Sequence, residues 1–107
     1  MTYLTQITVN HHFTNMTDLL QKDLLDELYY HLENRLSSYL MGALKHPDAT
    51  MLITMDIKKH SDNDLYDGDF NFDVNGKQYR YEASNFKNPK DLVSHATQHL
   101  KEQLADA

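Results

Sequence analysis

The sequence predicts an α+β fold of order β-α-β-β-β-α, a four-stranded mixed sheet with two helices packed on one face. Three observations predict it. Four segments alternate apolar and polar residues with period two. Two longer segments repeat apolar residues at three- and four-residue steps. Between two of the alternating segments stands Asn75-Gly76, and that dipeptide suits a type I′ turn, which needs positive φ at both central positions. A chain of 107 residues can hold one core and is short for two, so residues 1–107 are expected to form a single domain.

The first strand is expected over Tyr3–His11. Tyr3, Thr5, Ile7 and Val9 alternate there with Thr2, Gln6, Thr8 and Asn10. A polar break, HHFTNMT, follows. One long helix is then expected from Asp18 to about Leu44, with Asp18 as its cap and Gln21 completing a capping box. Its apolar stripe is Leu20, Leu24, Leu25, Leu28, Leu32, Leu36, Tyr39 and Ala43. Asp23, Asp26, Glu27, Glu33, Asn34 and Ser37 fall on the opposite side, so the exposed face is acidic. Tyr30 and Met41 also fall on that polar side, where they mark a candidate contact surface between proteins. Gly42 and Pro47 close the segment.

Thr50–His60 reads as the second strand, with Met51, Ile53, Met55 and Ile57 on one face. Tyr66–Val74 is the third, with Phe70, Phe72 and Val74 inward and Asp67, Asp69, Asn71 and Asp73 outward. Lys77–Ala83 returns after the turn. A two-residue turn pairs Phe72 with Tyr79 and Phe70 with Tyr81 on the buried face. On the open face it pairs Asp73 with Gln78, Asn71 with Arg80, and Asp69 with Glu82, the last a like-charge pair that Lys58 or Arg80 could neutralise. The last helix is expected from Pro89 to about Leu104. Asn88 is its cap, Asp91 complements its dipole, and Leu92, Val93, Ala96, Leu100 and Leu104 form its stripe.

Composition narrows the function classes. Without cysteine there are no disulfides, thiolate metal sites or thiol nucleophiles, which fits a cytoplasmic protein. No apolar run is long enough to span a membrane, and the N-terminus does not read as a signal peptide. Sixteen acids against ten bases give a formal net charge of −6, which disfavours a polyanionic partner unless bases cluster locally.

Chemistry is sparse. SDNDLYDGDF (61–70) is rich in Asp, but with Gly68 at position six of a calcium loop, Leu65 falls at three and Val74 at twelve. Starting at Asp62 instead puts Tyr66 at five, so the stretch reads as a polar hairpin loop. His95 and His99 stand at i, i+4 on the last helix, a spacing that can grip a metal, but no third ligand or neighbouring Glu accompanies them. His11 and His12 are adjacent and point to opposite faces of a strand. No glycine-framed serine and no phosphate-cradling loop occur. The expectation is a non-enzyme with no cofactor, no metal and no small-molecule substrate.

Three stretches carry a family resemblance. YYHLENRLSSYL (29–40), DFNFDVNGKQYRYEAS (69–84) with its R-x-E-A segment, and DLVSHATQHLKEQL (91–104) resemble the first helix, the third and fourth strands, and the final helix of the ribosome hibernation promoting factors. These are also called ribosome-associated inhibitors or sigma modulation proteins. The resemblance implies a double-stranded-RNA-binding-like sheet with both helices on one face, and a stress-related, non-catalytic role on the small ribosomal subunit. The bases that would contact rRNA are then Arg35, Lys58, Lys59, Arg80 and Lys101. The chain departs from the family pattern along the first helix, where Asn34, Ser37, Ser38 and Tyr39 stand in place of several lysines, and at its end, LADA.

Two functions follow. One is a ribosome-associated translation inhibitor that binds rRNA by shape and charge. The other is an acidic protein-interaction module of the same fold, homodimeric, that has lost RNA binding. A contiguous positive patch of Lys58, Lys59 and Arg80 would favour the first. Asp56, Asp69, Asp73 and Glu82 interleaved with those bases would favour the second.

Overall fold

A computed structural model describes residues 3–106; Met1, Thr2 and Ala107, and with them the expected place of Thr2 in the first strand, lie outside the described residues. Four strands align in the order β1-β2-β3-β4. They are β1 (Ile7–Thr14), β2 (Met51–Lys59), β3 (Tyr66–Val74) and β4 (Lys77–Phe86). β1 runs parallel to β2, while β3 and β4 are antiparallel to their neighbours, so the sheet is mixed as expected. α1 (Asp18–Tyr30), α2 (Ser37–Ala43) and α3 (Pro89–Ala105) form the other layer.

Strict alternation puts every second strand residue under the helices. Met51, Ile53, Met55 and Ile57 from β2 and Phe70 and Phe72 from β3 are essentially inaccessible. They meet Leu24, Leu28, Leu32, Leu36, Leu40, Leu92, Val93 and Leu100 in one contiguous core. Each such side chain contributes about 1.5–3 kcal/mol by leaving water, which is why all three helices lie on this face. Gly68 in β3 keeps the layers close, since a Cβ there would meet Leu92 of α3 at 3.2 Å.

The hairpin follows the sequence closely. Asn75 and Gly76 have φ of 54° and 89°, the geometry of a type I′ turn. All five cross-strand pairs expected between β3 and β4 are present. β4 nevertheless runs on to Phe86 through a register shift that pairs Gly68 with Ala83 but Tyr66 with Phe86. α3 starts as expected, with Asn88 accepting from the Lys90 amide at 3.0 Å.

Two further elements depart from expectation. The first strand does not start at Tyr3. Residues Tyr3–Gln6 form a 3-10 turn, and the strand occupies Ile7–Thr14, including most of the expected polar break. Tertiary bonds overrule the local alternation here. The buried Tyr3 hydroxyl donates to the Leu32 carbonyl, and Gln6 Nε2 donates to the carbonyls of His46 and Ala49, both at 2.8 Å.

The long first helix is not continuous. A π-helical turn, His31–Arg35, separates α1 from α2, with the Leu36 amide bonded to the His31 carbonyl at 2.9 Å. The cause lies in the leucine column. Leu24, Leu28, Leu32, Leu36, Leu40 and Leu44 are all at most 1% exposed. Residues spaced by four drift about 40° per step around an ideal helix, so the column would wander by about 200°. A wider i→i+5 turn rotates the chain back and returns the column to the sheet. Beyond it the inward residues are therefore Leu40 and Leu44, with the expected Tyr39 and Ala43 only half-buried. The cap also differs. Thr17 Oγ1 accepts from the Leu20 amide at 3.2 Å, and Asp18 is the first helical residue.

Candidate functional site

The side of the sheet away from the helices is open, and its composition follows from the outward half of each strand. β3 contributes Asp67, Asp69, Asn71 and Asp73, and β4 contributes Gln78, Arg80, Glu82 and Ser84. β2 adds Leu52, Thr54, Asp56 and Lys58. Registry places His12, Asp56, Asp69 and Glu82 in one row across all four strands. Like charges facing each other across a ladder repel, so the row needs cations.

Arg80 supplies the main one. Its Nε and Nη2 donate to the two oxygens of Asp69 at 3.2 and 2.8 Å, and Nε lies 3.1 Å from Glu82 Oε1. Asp69 foremost, then Glu82, holds the guanidinium in its charged form. His12 Nδ1 lies 3.5 Å from Asp56 at the other end of the row. Two shallow hollows on this face, of about 340 and 310 Å³, are lined chiefly by these groups and by Lys58 and Asp67. The open face as a whole carries five carboxylates, Asp56, Asp67, Asp69, Asp73 and Glu82, against Lys58 and Arg80. Such a surface favours cationic groups and repels phosphate.

The candidate rRNA contacts do not converge. Lys58 and Arg80 lie on the open face, separated by Asp67 and Asp69. Lys59 follows strand alternation to the other face, and its Nζ lies 3.4 Å from Asp64. Arg35 is exposed in the π-helical turn, and Lys101 is half-buried on α3. Lys58, Lys59 and Arg80 therefore do not form the contiguous positive patch that would favour rRNA binding, because alternation splits the bases between faces and strand registry sets carboxylates between the rest. Tyr30 and Met41 are 54% and 60% exposed on the helix layer, the positions expected of a contact surface.

The acidic loop closes on itself. Asn63 Oδ1 accepts from the Leu65 amide at 2.9 Å, and the His60 amide donates to the Leu65 carbonyl. Asp67 accepts from His60 Nε2 at 2.9 Å and from the Asn85 amide at 3.1 Å, so it anchors both the loop and the β4 bulge. The His60 bond, seconded by the Asn85 amide, holds the Asp67 carboxyl below the usual carboxylate range. Among the described residues no group of three or more His, Asp or Glu side chains is placed to share a metal ion. His95 and His99 instead pack on aromatic rings, His95 edge-on to Phe86 at 5.2 Å and His99 tilted on Tyr81 at 5.5 Å. His11 packs near Phe13 while His12 reaches Asp56, so the pair does point to opposite faces.

Sequence reasoning missed one polar pair built on a buried histidine. His31 is 1% exposed at the start of the π-helical turn, with Nε2 2.8 Å from Glu27 Oε2 and Nδ1 without a partner among the described residues. Its i, i+4 spacing to Glu27 was the available signal, but a continuous helix would not mark it as special.

No family model matches the chain, and no curated protein matches it in sequence. In structure it is similar to the Thermus thermophilus Protein Y N-terminal domain, with a TM-score of 0.61 and 15% identity over 91% of this chain and 94% of that one. At that identity the likeness establishes the fold. Among the described residues no helix is long and apolar enough to cross a membrane.

Proposed function

We propose that the chain is a non-catalytic, cytoplasmic factor that associates with the small ribosomal subunit, acting as one unit over residues 1–107. The observation that carries this reading is the fold. The arrangement implied by the resemblance to hibernation promoting factors is the one the chain adopts, and the Protein Y domain shares it along 91% of the chain. The cations suited to rRNA are then Arg35, Lys58 and Lys101, since Arg80 is already held by Asp69 and Glu82 and Lys59 lies 3.4 Å from Asp64. With few phosphate contacts, binding should be weak and should have a shallow salt slope, with log affinity falling by about 0.7–0.9 per contact for each tenfold rise in salt.

The test is co-sedimentation with purified ribosomes over a salt series. Migration with the small subunit, weakened by Arg35→Glu, Lys58→Glu and Lys101→Glu together, supports the reading. Absence from the ribosomal fraction even at low salt overturns it.

One observation favours a second reading, an acidic protein-interaction module of the same fold. Asp56, Asp67, Asp69 and Glu82 stand between and around Lys58 and Arg80. Under this reading the partner is basic, and binding survives the triple charge reversal.

A further inference from the structure

We propose that the free edge of β4 docks a second copy of this chain, strand against strand and antiparallel, with Tyr81 facing Tyr81 of the partner subunit.

The argument starts from hydrogen-bond parity. A two-residue turn closes on a bonded pair, here Val74 and Lys77. Lys77, Tyr79 and Tyr81 therefore direct their backbone groups to β3, while Gln78, Arg80 and Glu82 direct theirs away from it. β4 is the last strand of the sheet, so that outer edge has no strand beside it. The usual protections of an edge are sparse: β4 has no proline, one lysine at its start, and a bulge only beyond Ala83.

Charge then selects the register. An antiparallel pairing of β4 with its own copy must match outward residues with outward residues. Centring on Arg80 opposes two arginines, and centring on Glu82 opposes two glutamates. Centring on Tyr81 opposes Arg80 to the partner's Glu82 and Glu82 to the partner's Arg80. Arg80 and Glu82 are 61% and 63% exposed at the side chain, and their contact within the chain, Arg80 Nε to Glu82 Oε1 at 3.1 Å, would be exchanged for the same pairing with the partner.

Packing favours the same axis. On the helix side of this edge a groove of about 290 Å³ is lined by Tyr81, His95, Gln98, His99 and Glu102. Pairing about Tyr81 sets this groove against its symmetry mate and joins two four-stranded sheets into one of eight. The other edge strand, β1, carries no residue of fixed charge with which to set a register. A short strand edge with one groove beside it is a small interface, so a weak, concentration-dependent dimer is expected.

Sedimentation velocity on the full chain over a concentration series tests this, with circular dichroism confirming that each variant folds. The wild type should approach twice the monomer mass as concentration rises. Arg80→Glu and Glu82→Arg should each return the protein to monomer, and the double exchange R80E/E82R should restore the dimer. Gln78→Pro removes an amide that its own sheet does not use and should also weaken the dimer; it stands in for any charge variant that fails to fold. A monomer at every concentration, a dimer that survives both single reversals, or a double exchange that stays monomeric overturns the proposal.

Discussion

Arg80 grips Asp69 across the β3–β4 ladder with two parallel N–H···O bonds, at 3.2 and 2.8 Å, while also meeting Glu82. This one cation separates two carboxylates that the ladder sets face to face. Replacing it with Gln keeps much of the side-chain length but exposes the repulsion. Arg80→Gln is therefore expected to lower the melting temperature at low salt. The difference should largely disappear near 1 M salt, where the screening length falls to about 3 Å. A deficit independent of salt would mean that packing, not charge, is what Arg80 supplies.

Asp67 gives the chain a pH dependence of known sign. Its folded carboxyl is held below the ordinary range, first by His60 and then by the Asn85 amide. A depressed carboxylate stabilises the fold fully above its unfolded value, about 3.9, and the contribution is lost as pH falls through the folded value. The stability advantage of the wild type over Asp67→Asn should thus be present at neutral pH and shrink below about pH 4. Thermal melts of both proteins across that range check it, and an advantage that grows with acid would reverse the assignment.

The π-helical turn sets which residues beyond it face the sheet. Leu40 is inaccessible, while the adjacent Tyr39 is half-buried. Leu40→Ala is expected to cost about 2–5 kcal/mol in denaturant unfolding, the usual range for a leucine removed from a closed core. Tyr39→Ala should cost clearly less. Equal costs would mean that the helix is continuous and the column is not realigned.

Thr17 caps α1 through its hydroxyl. Thr17→Ala should therefore destabilise the protein by about 1 kcal/mol, and Asp18→Ala by less, since Asp18 acts only through the helix dipole. Equilibrium unfolding of the two variants ranks them.

His31 buries a ring nitrogen that has no partner among the described residues, which ordinarily costs about 1–3 kcal/mol. Its one bonded neighbour, Glu27, keeps 28% of its side chain accessible and can turn to water. His31→Leu is accordingly expected to leave stability unchanged or raise it. A loss comparable to that of Leu40→Ala would show that the Glu27 bond holds the turn together.

Sequence alone determined the elements whose signals are local. Period-two alternation marked Tyr66–Val74 to the residue, because every inward position there except Gly68 carries a large side chain and every outward one is polar. Asn75-Gly76 set the hairpin register, since few residues other than these accept two successive positive φ values. Asn88 and Pro89 marked the start of α3 in the same local way.

Tertiary structure decided what depends on contacts between distant residues. Tyr3 leaves the strand pattern because its hydroxyl finds the Leu32 carbonyl, 29 positions away. The leucine column forces a π-helical turn only because the sheet lies beneath it. Asp56 meets Asp69 only through the β2–β3 registry, and Lys59 is parted from Lys58 by strand alternation. The sequence shows how many charges the surface must carry, but strand registry decides which of them are neighbours. Coulomb interactions weaken with separation and with screening, so that placement is what makes the open face acidic.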